Sequence, residues 1–332
     1  MSRTWILGLA SLLLIASVGA SQAAPAAPPK TVKAPSAPQA PKAPAAPAAP
    51  RAAGPAINQA AMSYNVKGIE IDDIFGTLHV TVTNSGPVTL AMSGAKSELD
   101  NVHVTNTGDR LLIKEEHLGH VWNWREWFTY KQERRDRVTL NISAPKGTSL
   151  GIDGFVGDLT VGDLDGPVKI DAAAVQGTVG NVTSAKISLA GSGKLTVGTV
   201  TQQLGIDIAG SGTVNAGASG GASIEIAGSG DAHVGPVLGK LRIDIAGDGD
   251  VTVASVNGPT NIEVAGSGNI KIDTGEANPF KVEIMGSGDL DFGGEAVNPE
   301  ISVMGSGDVS LKSYRGKLDT DGGAHVKVGS KE

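Results

Sequence analysis

Apolar and polar residues alternate along most of this chain, and glycine interrupts the alternation at regular intervals. In IDIAGDGDVTV (243–253), apolar residues stand two apart on either side of Gly247 and Gly249. That is the period of a strand, not the 3.6 of a helix. The same pattern returns as ISLAGSGKLTV, IDIAGSGTVNA, IEIAGSGDAHV, IEVAGSGNIKI, VEIMGSGDLDF and ISVMGSGDVSL. The second glycines of these copies are Gly193, Gly212, Gly230, Gly249, Gly268, Gly288 and Gly307, spaced 18 to 20 residues apart. Degenerate copies precede them around Gly157 and Gly177, and one more follows at DGGAHVKV.

Short strands joined by tight corners at one interval describe the coils of a β-solenoid. Gly-Ser-Gly supplies one corner, because glycine accepts positive φ and close backbone approach. A second corner is expected at Gly166-Pro167, Gly258-Pro259, Asn278-Pro279 and Asn298-Pro299, whereas Gly235-Pro236 falls out of phase. The chain is therefore read as all-β: a right-handed parallel β-helix, handed by analogy with known solenoids, with coils of about 19 residues. Ile206, Ile224, Ile243, Ile262, Val282 and Ile301 should stack inside it as a ladder. Ten coils at about 4.8 Å would stretch roughly 50 Å. An antiparallel sandwich is the rival, but a sandwich has no reason to keep so constant a phase.

The GSGDV corners, the spacing and the β-rich lead-in from VKGIEIDDIFGTLHV to RVTLNISAPKGTSLGIDG together resemble the head GIN domain family of auto-transporter adhesins. The resemblance covers roughly residues 64–328. It implies an exported bacterial protein of β-helical fold with a role in adhesion.

The ends of the chain read differently. Residues 1–23 have the form of a secretory signal: Arg3, an apolar run from Trp5 to Val18, and small Ser21 and Ala23 before the expected cleavage point. Residues 24–56 are Ala and Pro with scattered Lys30, Lys33, Lys42 and Arg51, the composition of an extended polyproline-like tether. Residues 57–150 form the β-rich capping lead-in, with an aromatic insertion at about 115–137, and residues 151–332 the coils. The expected location is the periplasm or the outer surface of a bacterium. The absence of cysteine rules out disulfides and thiolate metal sites. All 34 acidic residues lie beyond residue 56, whereas five of the 27 basic ones precede it. The coils are thus strongly acidic, which disfavours nucleic acid as a partner.

GSGD itself is not a phosphate loop, since no helix follows it and no GK[ST] accompanies it. Calcium rolls repeat every nine residues, about half this period, and Lys194, Thr213 and Asn269 interrupt the aspartate position here. The motif reads as punctuation, with a partial cation site near Asp289 and Asp308 as the alternative. No cofactor is expected.

Two features could carry function. Asp207, Glu225, Asp244, Glu263 and Glu283 occupy one outward position per coil and should form an acidic ladder. Neighbouring charges about 4.8 Å apart in water repel by roughly 0.9 kcal/mol per pair, which Arg242 and Lys281 beside them could relieve. The ladder reads either as a solvated face or as a surface for divalent cations or a cationic polymer. The second feature is HLGHVWNWREWFTYKQERR, with Trp122, Trp124, Trp127, Phe128 and Tyr130. These rings either cap the first coil or form a platform for an envelope glycan, a lipid headgroup or a surface protein. His117 and His120 beside Glu115 and Glu116 make a weak metal pattern, and His79 and His103 have no evident partner.

The function expected is an exported cell-envelope binding or structural module, adhesin-like and not an enzyme. The alternatives are a carbohydrate-active β-helix enzyme and a self-associating envelope scaffold.

Overall fold

The computed structural model describes residues 56–116, 138–323 and 325–331. Among these, strands dominate and stack as a β-solenoid of about nine turns, about 19 residues apart. The expected ladder is present: Ile206 pairs with Ile224, Ile224 with Ile243, Ile243 with Ile262, Ile262 with Val282, and Val282 with Ile301, all in parallel register. Each of these six side chains is buried. Fully burying such a side chain is worth about 1.5–3 kcal/mol, so the ladder is a principal source of stability along the stack.

Each coil has three parts. The first strand segment runs into the Gly-Ser-Gly corner, as in Leu241–Gly247, and its alternate residues point inward. The second leaves that corner: Asp231–Val237, Asp250–Gly266 and Ile270–Ile272 pair in parallel there. A shorter third segment closes the coil, where Val256 pairs with Gly275 and Ala277 with Ala296. Phe280 and Phe292 are buried in the core, stacked at 4.9 Å between ring centroids.

The corners hold because their backbones stack. The N–H groups of Ser229, Asp248, Ser267, Ser287 and Ser306 each donate to the carbonyl of a first corner glycine one coil back, at 2.8–2.9 Å. The first corner glycines Gly228, Gly247, Gly266 and Gly286 have φ between +128° and +142°. A Cβ on Gly247 would collide with the carbonyl oxygen of Gly228, which is why no larger residue stands there. The out-of-phase Gly235-Pro236 lies inside the strand Asp231–Val237, and Pro236 pairs with Ser255. That coil turns instead at 238–240, where Leu238 is left exposed.

The N-terminal end is not threaded in simple order. Strand Gly68–Asp72 lies between Arg110–Glu115 on one side and Ser149–Val161 on the other, parallel to both. Strand Phe75–Thr83 lies likewise between Val138–Pro145 and Ser149–Val161. The outermost coil is therefore built from residues later in sequence than the coil beneath it. Antiparallel strands cover its free edges: Val88–Ala95 on Val138–Pro145, and Val102–Thr107 on Arg110–Glu115. The short helix Lys96–Leu99 joins these two covering strands, and its Leu99 is buried.

Candidate ligand groove

The strands entering the Gly-Ser-Gly corner present two parallel rails to solvent. The first is the expected acidic ladder. Asp207, Glu225, Asp244, Glu263 and Glu283 stand in register, one above another. The second lies two residues further along each strand: Ala209, Ala227, Ala246, Ala265, Met285 and Met304, again in register. Alternation puts both rails outside while Ile208, Ile226, Ile245, Val264 and Ile284 between them are buried. Small side chains beside a row of longer acids leave an open trough of about 520 Å³, walled by the carboxylates and floored by methyl groups. Its apolar rail is open to water: Met285 is 46% and Met304 55% exposed.

The five carboxylates are not equivalent. Asp207 has Ser188 Oγ at 3.5 Å and Lys186 Nζ at 3.8 Å. Arg242 holds Asp244 with two hydrogen bonds, Nε at 2.7 Å and Nη2 at 2.9 Å. The same guanidinium reaches Glu263 at 3.4 Å, where Asn261 Nδ2 also donates at 2.9 Å. Lys281 does not serve Glu283, because its ammonium pairs with Glu300. Glu225 and Glu283 make no hydrogen bond or ion pair among the described residues. Burial pushes the Asp244 carboxyl above the usual aspartate value; Arg242 opposes this, and the charge of Glu263 adds to it. The like-charge cost inferred from the spacing is thus felt at this position. One coil set further back, Asp171 is the contrast. Burial alone would raise it, but hydrogen bonds from Lys169 and Ser188 and the nearby lysine charges outweigh that and hold it low.

The corner aspartates form a second, separate row. Asp250 Oδ1 accepts the backbone N–H of Asn269 at 3.0 Å, and Asp289 Oδ1 accepts that of Asp308 at 2.8 Å. Asp308 pairs with Lys327 at 3.1 Å. These three aspartates brace their coils to the next, whereas the Asp231 side chain makes no hydrogen bond or ion pair among the described residues. Among the described residues no group of three or more His, Asp or Glu is placed to hold a metal ion.

The aromatic residues Trp122, Trp124, Trp127, Phe128 and Tyr130, with His117 and His120, lie outside the described residues. The strands on either side of them, Arg110–Glu115 and Val138–Pro145, belong to the outermost coil. Glu115 is buried and accepts the N–H of Phe75 at 3.2 Å. His103 has a partner the sequence did not reveal: Glu116, 3.5 Å from its Nε2. The methyl rail was also missed, although its signal was legible. Alanine recurs two residues beyond four of the five acids, with Met285 beyond Glu283, at an exposed strand position where larger side chains are favoured.

Residues 69–259 match the family model described as "Putative auto-transporter adhesin, head GIN domain". Among solved structures, a "putative adhesin" from Parabacteroides distasonis is similar over 84% of this chain and 96% of its own, at 14% identity and a TM-score of 0.41. A "putative lipid binding protein" from the same species covers the same shares at 16% identity and a TM-score of 0.35. A "putative adhesin" from Parabacteroides merdae does so at 15% and 0.36. The family match, not these distant structural likenesses, carries the assignment. No curated protein matched the sequence.

Proposed function

This chain belongs to the head GIN domain family of auto-transporter adhesins, and from that premise we propose that it is an exported binding module of the bacterial envelope whose ligand face is the acid-walled trough. The observation that carries the reading is the pairing of two carboxylates that make no hydrogen bond or ion pair among the described residues, Glu225 (whose charge still acts on Arg242) and Glu283, with a methyl rail open to solvent. A face kept only for solubility needs charge but no continuous apolar strip beside it. The one-per-coil row also differs from an enzyme's cleft, where acid and base converge on one bond. Family membership suggests an extracellular or cell-surface protein; the signal-like residues 1–23 support export, and the Ala/Pro tether supports display away from a surface.

A second surface is favoured by the covered N-terminal edges. Strands and Leu99 already cover edges at that end, which supports reading the ring-rich sequence at 122–130 as a ligand platform and not a cap. One experiment separates the two. The full-length chain is incubated with bacterial wall and outer-membrane fractions, with retention and tryptophan quenching read together. The trough reading expects retention that falls in the Glu225→Gln/Glu283→Gln variant with tryptophan emission unchanged. Retention indifferent to that variant, with tryptophans becoming protected, would move the ligand face to the insertion.

A further inference from the structure

The trough has a period, and the period selects among ligand conformations. Its carboxylates repeat with the coils, about 4.8 Å apart, so alternate coils lie about 9.6 Å apart. A polyproline II helix has three residues per turn at about 3.1 Å each, and presents the same face every ~9.3 Å. Over two turns the mismatch stays under about 1 Å. An α-helix repeats every ~5.4 Å and slips by more than half an ångström at each coil. An extended strand shows the same face every ~6.7 Å and matches neither one coil nor two.

The chemistry of the two rails agrees with this geometry. Proline rings and small side chains on one face of such a helix suit the floor of Ala209, Ala227, Ala246 and Ala265. A basic side chain at every third residue would meet the carboxylate wall. The polyproline backbone makes no internal hydrogen bonds and stays solvated, so an open trough leaves none of its polar groups stranded. Charge complementarity also excludes a second copy of this chain laid face to face, because that would oppose two acidic rails. The chain's own Ala/Pro tether shares the ligand's chemistry. We infer that the trough binds a cationic, proline-rich segment of a partner protein in the polyproline II conformation, with Lys or Arg at every third position. This rests on the trough being the ligand face.

The test uses the full-length chain and a labelled (Ala-Pro-Lys)6 peptide at low salt, followed by fluorescence anisotropy. An isomer of the same composition with its lysines blocked at one end serves as the control. The triplet peptide should bind about tenfold more tightly than the isomer, because only its charges follow the coils. Glu225 and Glu283 lie three coils apart, so each peptide register meets one of them, and affinity should fall roughly two- to fivefold in Glu225→Gln/Glu283→Gln, the loss of one exposed charge pair. Ala246→Arg, at an exposed floor position, should abolish binding by placing a like charge in the path. Tighter peptide binding in Lys30→Gln/Lys33→Gln/Lys42→Gln/Arg51→Gln would identify the tether as the occupant and overturn the assignment to a partner. Melting curves check that all variants remain folded. Equal binding of the two peptides would mean mere attraction to an acidic protein and would overturn the inference, as would indifference to the variants. If the peptide fails while Glu225→Gln/Glu283→Gln still releases the envelope fraction, the trough remains the ligand face and only the polyproline assignment falls. If neither responds, both fall.

Discussion

Replacing Gly266 by alanine isolates the corner. Gly266 has φ +142°, and a Cβ there would run into the carbonyl oxygen of Gly247 one coil below. The N–H of Ser267 donates to that same oxygen at 2.9 Å, so relieving the collision also weakens the bond. Strain at a glycine-type φ costs about 1–3 kcal/mol and the hydrogen bond about 1 kcal/mol, together roughly 2–4 kcal/mol. For a domain of this size each kcal/mol shifts Tm by about 2–4 °C, so a fall of roughly 4–16 °C is expected. Far-UV circular dichroism on heating reads it directly. Ser267→Ala is the internal control, since that side chain is exposed and should leave Tm nearly unchanged. A Gly266→Ala melt within about 2 °C of the parent would refute the claim that the motif exists to stack corners.

Ile243→Ala, in the middle of the buried ladder, should cost about 2–5 kcal/mol and, because coils couple only to neighbours, broaden or split the denaturant transition; an unchanged midpoint would contradict the ladder's role. In a carboxyl NMR titration, Asp244 should titrate above the ordinary aspartate value and Asp171 below it, and Glu263→Gln should lower Asp244. The stability linked to Asp244 is therefore full below the unfolded aspartate value and lost as pH rises through its folded value, while that of Asp171 is full above the unfolded value and lost as pH falls through its folded one; the reverse order of the two midpoints would overturn this.

The coils were legible because each one repeats the same local choices. Alternation placed Ile243 inside and Asp244 outside, and the glycines marked the corner, so every copy confirmed the last. Side-chain partners were less legible, because neighbours in sequence need not be partners in space. Lys281 stands two residues from Glu283 yet pairs with Glu300 on the next coil, while Arg242 serves acids on two coils. The N-terminal end was least legible. Nothing local tells Gly68–Asp72 that it will sit between two strands that follow it, since that pairing has no repeat to announce it.

The buried position of that early strand has a kinetic consequence. From Pro167 onward each coil pairs with the one about 19 residues back, so its closure is local and quick. Glu70, by contrast, pairs with Gly151, roughly eighty residues away, and its other partner Leu112 also comes later. Closing the larger loop costs about 1.3 kcal/mol more than closing one coil. A chain emerging N-terminus first must therefore wait, with residues 68–83 synthesised but unfinished, until the outer coil and Ser149–Val161 arrive on either side. The most non-local closure of the fold therefore belongs to this end, whereas each repeat pairs only with its neighbours.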